Sequence, residues 1–407
     1  MNIPILKAEK DCIGCRACIE ICPRYAISMQ SVGFNAGIPT IDLEKCVKCG
    51  KCEKVCKYSH KTEAKAKKSY VAINKNMELL KKSASGGIFS ALATYVLSGG
   101  GVVFGASMCY DGRKITVEHE RIESIEELPR ILGSKYVQSD CSKSYSCVKE
   151  ALQNGRTVLF GGTSCQVNAL YSYLQGTDMT NLYTTDLICH GVPSIGFFNE
   201  YVKYLETKFN GKIENVTFRT KNNKKIVYEL TCAVKKSSNG AIKTVTLPLR
   251  TSSYYRMFMD AESYQEGCYN CQYASANKPA DITLGDYFEI RNDYPELLEG
   301  DNALKLDFGV SAVIIHSEKG EALFSELEAS IDRIEVDTNT VVKSHSQLQH
   351  PSRFRNRHKL LEVYRKQGFK GLERFYRKQN LFDWKENISI IVGRKNIERI
   401  KKILKRR

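Results

Sequence analysis

The sequence predicts an α/β (α+β) body that follows a small cysteine-rich N-terminal domain and precedes a basic, helical C-terminal part. Three observations support this division. Eight of the 16 cysteines lie between Cys12 and Cys56. From Tyr70 onward, apolar strand-like segments alternate with amphipathic helical segments, which is typical of α/β folds. From His350 to Arg407, arginine, lysine and aromatic residues dominate a pattern that favours helix.

The cysteine-rich segment is an internal repeat. Each half has the spacing C-x2-C-x2-C-x3-C, first from Cys12 to Cys22 and again from Cys46 to Cys56. In two-cluster ferredoxins, each cubane takes three thiolates from one run and the distal cysteine of the other run. Structural zinc, the alternative, typically uses paired C-x2-C hooks from separate segments. The repeat therefore predicts a bacterial-type dicluster ferredoxin-like domain over residues 1–60. One 4Fe-4S cluster is assigned to Cys12, Cys15, Cys18 and Cys56, and the other to Cys46, Cys49, Cys52 and Cys22.

The rest of the chain is expected to have four parts. A charged linker covers residues 61–69, the body covers 70–156 and 157–335 in two portions, and the basic helical tail covers 336–407. Hydrophobic patterning predicts helices over Gly86–Leu97, Ser124–Ile131 and Ser144–Gln153. It predicts strands over Val102–Ala106, Thr157–Phe160, Asn215–Thr220, Lys225–Val234, Ile242–Pro248 and Val310–His316.

Length, composition and charge exclude several classes of protein. With 407 residues, 42% hydrophobic and 26% charged, the chain is expected to be a folded multidomain protein rather than a single ferredoxin. Met1–Lys10 lacks a signal-peptide pattern, and cysteines at metal-ligand spacing favour a reducing, cytoplasmic compartment. The apolar stretch Ala84–Cys109 is broken by Gly99–Gly101, so no membrane span is expected. The net charge of +16 would suit an acidic redox partner, whereas no recognised motif supports nucleic-acid binding.

Several short segments of the body stand out by their glycine, cysteine and polar residues. They are Ser85–Gly87, Gly133–Gln138, Phe160–Gln166, Ile188–Ser194, and Cys268 and Cys271 followed by Asp281–Asp286. In this order they resemble the coenzyme F-420 hydrogenase/dehydrogenase beta-subunit family. Two departures are Ser164, where the family commonly has proline, and Tyr287-Phe288, where a tryptophan is usual.

The resemblance implies a bound flavin, normally FAD, beside a further 4Fe-4S cluster. Electrons would pass between that cluster and a soluble acceptor through the flavin. The third cluster would be held by Cys165, Cys189, Cys268 and Cys271. The flavin would be bound by residues of the first three segments, namely Ser85, Gly86, Gly87, Ser134, Lys135, Tyr136, Gln138, Gly161, Gly162 and Thr163. The turn at Gly161–Thr163 is also one where small residues let a cofactor approach backbone amides.

Other interpretations of these residues stay open. The pair Cys268 and Cys271 is also typical of a zinc or redox site, in which case the other two cysteines would be core thiols. His190 is either a proton donor near the cofactor or a hydrogen-bonding residue in a turn. The remaining cysteines lack ligand spacing and are expected to pack as small apolar residues: Cys109, Cys141, Cys147 and Cys232.

These features predict a flavin-dependent iron–sulfur oxidoreductase, in which clusters pass single electrons and the flavin couples them to two-electron chemistry. The acceptor would be a soluble substrate or a deazaflavin-like coenzyme. The alternative is a non-catalytic electron-relay or adaptor subunit of a larger redox complex. Either function requires a redox protein partner, such as a ferredoxin or another oxidoreductase subunit.

Overall fold

The computed structural model describes residues 11–56, 64–111, 113–222, 225–300, 304 and 306–381. The chain divides into two units, Met1–Arg355 and Asn356–Arg407. The first unit contains a two-stranded hairpin, a three-stranded sheet and an eight-stranded sheet. The second contains the helical segment Arg357–Leu381, which is broken at Gly368 where φ is 61°. The last part of the predicted basic helical tail, residues 382–407, lies outside the described residues.

The N-terminal domain is built around an antiparallel hairpin. Its strands are β1 (Ile27–Val32) and β2 (Asn35–Ile41), with Ile27 opposite Ile41. The short helices α1 (Ala17–Glu20) and α2 (Lys51–Lys54) precede and follow it in the chain. The strands therefore separate the two cysteine runs, because each short helix lies in one of them.

The eight-stranded sheet forms the centre of the body. Its strands are β3 (Lys68–Asn74), β4 (Val102–Tyr110), β5 (Ile115–Ile122), β6 (Val158–Gly161), β7 (Leu182–Leu187), β11 (Ile282–Asp286), β12 (Ser311–Ile315) and β13 (Ile331–Val336). The order is β13-β3-β12-β11-β7-β6-β4-β5. The four central strands β11, β7, β6 and β4 pair in parallel, and the outer pairs are antiparallel. The carboxyl ends of the parallel strands consequently lie at one edge, where open α/β sheets bind their ligands.

Helices pack on both faces of this sheet. The helices of the body are α3 (Met77–Lys82), α4 (Ile88–Ser98), α5 (Ser144–Gln153), α6 (Ser164–Tyr173), α7 (Ile195–Phe209), α8 (Ser253–Met259), α9 (Ile290–Asp293), α10 (Glu318–Ser325) and α11 (Thr338–Ser344). Leu92 of α4 belongs to the same buried cluster as Leu159 of β6. Phe160, the next residue of β6, packs with Val167 of α6 on the other face. Burial on both faces explains why this strand is apolar at successive positions.

A separate three-stranded sheet follows α7. Its strands are β8 (Gly211–Asn222), β9 (Lys225–Lys236) and β10 (Ile242–Pro248), all antiparallel, in the order β10-β9-β8. The predicted strands over residues 215–220, 225–234 and 242–248 are therefore confirmed.

Several other predicted elements are confirmed, and some boundaries differ. Helix Ser144–Gln153 has the predicted bounds, whereas Ile125–Ile131 is a 3-10 helix because Pro129 interrupts the regular pattern. The apolar stretch over residues 84–109 divides into α4 and β4. No helix among the described residues is long and apolar enough to cross a membrane.

The structure departs most from the predicted domain borders. Strand β3 begins at Lys68, inside the expected linker, and pairs with β12 and β13. Ahead of it, Ala64 already pairs with Lys278 through hydrogen bonds of 2.8 and 3.1 Å. The eight-stranded sheet also takes strands from both sides of the expected border at residues 156 and 157. Long-range strand pairing, which hydrophobic periodicity does not reveal, joins these portions.

The N-terminal domain packs directly on the body. Phe34, in the turn of the hairpin, is fully buried and its ring lies 4.4 Å from that of Phe197. The Tyr145 hydroxyl donates to the carbonyl oxygen of Cys15 at 2.9 Å. Arg16 forms an ion pair with Asp140 at 2.5 Å. These contacts fix the cysteine runs against the body.

Candidate metal-cluster sites

The two N-terminal cysteine runs adopt the same backbone turn. Gly14 and Arg16 have φ of 65° and 63°, and the equivalent Lys48 and Gly50 have φ of 56° and 71°. Such left-handed residues, two and four positions after the first cysteine, curl the chain around a common centre. In the second run the Lys48 amide donates to the Cys46 sulfur at 3.4 Å. A loop of this shape supplies three thiolates and amide donors to a cubane.

Each run has the distal cysteine of the other run among its neighbours. Burial raises the pKa of Cys18 to about 12, and the neighbouring Cys12 and Cys56 thiols contribute to the rise. Burial also raises the pKa of Cys15, and the Cys12 and Cys56 thiols add to this rise. We call these four residues, Cys12, Cys15, Cys18 and Cys56, the first N-terminal set. The second N-terminal set, whose members line one small cavity, is Cys22, Cys46, Cys49 and Cys52.

The four cysteines that the resemblance selected in the body also come together. Cys165 lies in the first turn of α6 after β6, and Cys189 follows the end of β7. Because β6 and β7 are parallel neighbours, their carboxyl ends meet at the same edge. Cys268 and Cys271 come from the 3-10 turn Glu266–Asn270 and the residue after it. We call these four residues the body cysteine set.

Electrostatic effects within the body cysteine set show that its members are neighbours. Burial raises the pKa of Cys189 to about 11, and the Cys271 thiol adds to the rise. Burial also raises the pKa of Cys268, and the Cys189, Cys271 and Cys165 thiols raise it further. The Thr163 hydroxyl lies 3.0 Å from the Cys165 sulfur. Four neighbouring, partly buried thiols are the ligand set that a 4Fe-4S cluster requires.

The body cysteine set lies beside the first N-terminal set. Burial raises the pKa of Cys165, and Cys15 is among the thiols that add to this rise. A side chain at Gly267 would approach the Cys12 carbonyl oxygen to 2.8 Å, so the segment carrying Cys268 packs on the first cysteine run. Burial raises the pKa of the Tyr145 hydroxyl, and both Cys15 and Cys165 add to this rise. The N-terminal domain therefore presents its first set, rather than its second, to the body.

Among the described residues, no three His, Cys, Asp or Glu side chains are spaced to hold a single metal ion. A cubane holds iron and sulfide between its thiolates and so spaces them more widely than one ion does. The fit of the three sets to clusters rests on which cysteines are neighbours.

The predicted flavin residues do not all lie in one place. Gly86 packs on the sheet, where a side chain would come within 2.6 Å of the Ser311 amide and closer still to the Ala72 carbonyl oxygen. Gly87 has φ of 78° and precedes α4. Both glycines are thus explained by backbone packing and conformation, and their requirement does not depend on a cofactor.

Gln138 and Lys135 are engaged elsewhere in the protein. The Gln138 amide donates to the Ile13 carbonyl oxygen at 2.6 Å and accepts from Gln265 at 2.5 Å, beneath the N-terminal domain. The Lys135 ammonium donates to the Leu132 carbonyl oxygen at 2.7 Å, and burial lowers its pKa to about 8. Gln138 therefore contributes to domain packing.

The turn Gly161–Thr163 lies at the carboxyl end of β6, as the sequence predicts for a strand-to-helix turn. Thr163 and Gln166 form a capping box at the start of α6. His119, which the sequence did not single out, lies with Nε2 2.9 Å from the Gly161 carbonyl oxygen. Burial lowers the pKa of His119 to about 4, so the ring is neutral near pH 7. Its distance in sequence from the turn hides this contact.

A second polar group surrounds Ser85 and Tyr136. Arg219 of β8 binds both carboxylate oxygens of Asp286 at 3.1 and 2.7 Å, and its guanidinium lies 5.7 Å from the Tyr136 ring centre. Lys221, two residues further along β8, donates to the carbonyl oxygens of Ser85 and Leu80 at 2.6 and 2.7 Å. Burial lowers the pKa of Lys221 to about 7. The sequence singled out Ser85, Tyr136 and Asp286 here but not Arg219 and Lys221, because these two stand in an ordinary strand pattern.

His190 and the other cysteines have simpler surroundings. His190 Nδ1 lies 2.5 Å from the Tyr264 hydroxyl, and burial lowers its pKa to about 4. The expectation that the remaining cysteines are apolar core residues is wrong for Cys109, which is exposed near the end of β4. Cys141 and Cys232 are buried.

The fold and the cysteine sets define an iron–sulfur redox protein. Residues 155–340 match the family model for the C terminus of the coenzyme F420 hydrogenase/dehydrogenase beta subunit. Residues 11–59 match the 4Fe-4S dicluster domain. These two matches confirm the predicted resemblance: a match to the C terminus of this beta-subunit family follows a match to a dicluster ferredoxin-type domain.

Individual relatives are more distant. Two curated relatives are the methylamine utilization ferredoxin-type protein MauM of Methylophilus methylotrophus and of Methylobacillus flagellatus, each 35% identical over 66 residues. These matches cover 14% of the chain and 29% and 28% of the relatives, so the chain spans less than a third of their length. One chain in a structure of the F420-reducing NiFe hydrogenase complex from Methanosarcina barkeri is similar in fold. The alignment covers 74% of the present chain and 94% of that chain, at 18% identity and a TM-score of 0.43.

Proposed function

We propose that the protein is an iron–sulfur flavoprotein oxidoreductase. Two clusters in the N-terminal domain and a third in the body would exchange electrons with a redox protein partner, and an FAD would connect them to a soluble acceptor. The observation that carries this proposal is the position of the body cysteine set. It lies beside Cys15 of the first N-terminal set and at the carboxyl edge of β6, where the turn Gly161–Thr163 begins.

The three cysteine sets have the residues that clusters need. Each offers four cysteines, and those of the first N-terminal and body sets are buried or partly buried. The second N-terminal set includes the exposed Cys49. An exposed set suits exchange with a protein partner, whereas the buried sets suit transfer inside the chain.

The flavin would be held at the carboxyl edge of the sheet. Of the residues that the sequence selected, Gly161, Gly162 and Thr163 lie at the end of β6, while Ser85 and Tyr136 adjoin Arg219 and Lys221. Arg219 and Lys221 offer N–H donors for the anionic phosphates of FAD, and a bound phosphate would favour the charged form of Lys221. Tyr136 supplies an aromatic surface. When bound, the flavin supplies the exchange between one-electron and two-electron chemistry.

Flavin analysis tests this proposal. Protein purified without oxygen is expected to release about one flavin per chain on acid treatment. Lys221→Met removes a partly buried amino group and the anchor of the Ser85 carbonyl, and we expect it to lose most of the flavin. Lys81→Met is the matched control, because Lys81 is a half-exposed lysine on the adjacent α3.

Two results would contradict parts of this account. Full flavin occupancy in Lys221→Met would place the flavin elsewhere. If the wild-type protein binds neither FAD nor FMN after reconstitution, it is an electron-relay subunit without a flavin.

A further inference from the structure

A buried lysine lies beside the body cysteine set. Lys278 is only 1% exposed, and its backbone pairs with that of Ala64 just ahead of β3. Its ammonium group donates to the Tyr273 carbonyl oxygen at 2.7 Å and to the Ser164 hydroxyl at 3.4 Å. Ser164 directly precedes Cys165 in the chain. The side chain is therefore held against the segment that carries one of the four cysteines.

Lys278 forms no ion pair with a carboxylate within 4.0 Å in the described part of the chain. Lys319 is different, since its ammonium lies 3.6 Å from Asp281. Lys278 does influence the buried carboxyl group of Asp186. Burial raises the pKa of Asp186, and the Lys278 charge acts in the opposite direction. A buried ammonium group with only uncharged hydrogen-bond partners is destabilising unless a nearby anion compensates it.

The body cysteine set with a bound cluster offers an anion in addition to the Asp186 carboxyl group. Ser164 connects Lys278 to the start of α6 and so to Cys165. Cys189 follows β7, the parallel neighbour of β6, and so lies at the same edge of the sheet as Ser164. A 4Fe-4S cubane with four thiolate ligands is anionic in its oxidised state and gains a further negative charge on reduction.

We propose that Lys278 supplies the compensating positive charge for the cluster bound by the body cysteine set, and that it thereby raises the reduction potential of that cluster. This inference rests on the proposed third cluster. A fixed cation in a low-dielectric site favours the more negative, reduced state. Lys278 is a positioning residue for charge, since no thiolate needs it as a ligand.

The test is a redox titration of the full-length protein, followed by electron paramagnetic resonance under anaerobic conditions. The body signal is identified as the one absent from a Cys268→Ser and Cys271→Ser double variant. Lys278→Met keeps an unbranched side chain that is one atom shorter and removes its charge. We expect the one-electron equilibrium to shift at least tenfold toward the oxidised state. This shift makes the reduction potential of the body cluster about 59 mV more negative.

Two controls separate charge from packing. Lys278→Arg keeps the charge, so its potential is expected to stay close to that of the wild type. Lys319→Met removes a partly exposed lysine that hydrogen-bonds Leu182 at the start of β7, away from the cysteine edge. Its body-cluster potential is expected to be unchanged.

Each outcome decides between the alternatives. A bound body cluster with unchanged potential in Lys278→Met would overturn the inference. Loss of the body cluster in Lys278→Met together with its retention in Lys278→Arg would support it, because charge alone distinguishes the two. Equal loss in both would overturn it in favour of packing. Absence of a third cluster from the wild-type protein would instead refute the proposed function on which the inference rests.

Discussion

Gly86 shows how a residue in a cofactor-like motif can be required by packing alone. Its α-carbon faces the backbone of β3 and β12, and there is no space for a further carbon. A flavin motif and a packing glycine look the same in sequence, because both use a small residue next to a helix start. The cysteines are more specific, because their spacing has few structural alternatives. The N-terminal cysteine sets could therefore be predicted from the sequence, while Gly86 and Gln138 needed the structure.

Replacing Gly86 by alanine should destabilise the whole body. The added carbon would lie 2.6 Å from the Ser311 amide, so the backbone of α4 or β12 must move. We expect a loss of roughly 2–4 kcal/mol in the free energy of unfolding. Gly99→Ala is the matched control, since its nearest neighbours would lie at 3.6 and 3.7 Å. Thermal unfolding measures both variants, and equal melting temperatures would contradict the packing explanation.

At the scale of elements, local patterns predict what is local and do not reveal what is distant in sequence. Helix α5 and strand β10 have the predicted bounds because each has a clear period of its own. The start of β3 looks like a linker because its lysine and serine residues hide a strand that pairs with β12 and β13, more than 200 positions later. Arg219 and Lys221 are not evident from the sequence for the same reason, since only the tertiary fold brings β8 to Ser85.

The hairpin of the N-terminal domain should be a main anchor on the body. Phe34 is fully buried against Phe197, whereas Tyr25 in the same domain is 85% exposed. Phe34→Ala is expected to cost about 3–5 kcal/mol, and Tyr25→Ala well under about 1 kcal/mol. Hydrogen exchange of the cysteine runs should accelerate in the first variant only. Unchanged exchange in Phe34→Ala would show that the two domains are held together by other contacts.

At the scale of the whole molecule, electron transfer through the chain requires that the three cysteine sets be neighbours. The first N-terminal set adjoins the body set, and the second set includes an exposed cysteine. The sequence predicted which cysteines belong together but could not predict which N-terminal set faces the body. That choice follows from the contacts of Tyr145 and Gly267 with the first run.

The most direct measurement is the iron content of protein purified and reconstituted without oxygen. Three clusters predict about 12 iron atoms per chain. The Cys268→Ser and Cys271→Ser double variant should hold about 8, because the N-terminal sets keep all their own ligands. A double variant at Cys109 and Cys232, which belong to none of the sets, should retain about 12. A wild-type value of about 8, or an unchanged value in the Cys268 and Cys271 variant, would contradict the third cluster and with it the proposed link between the two domains.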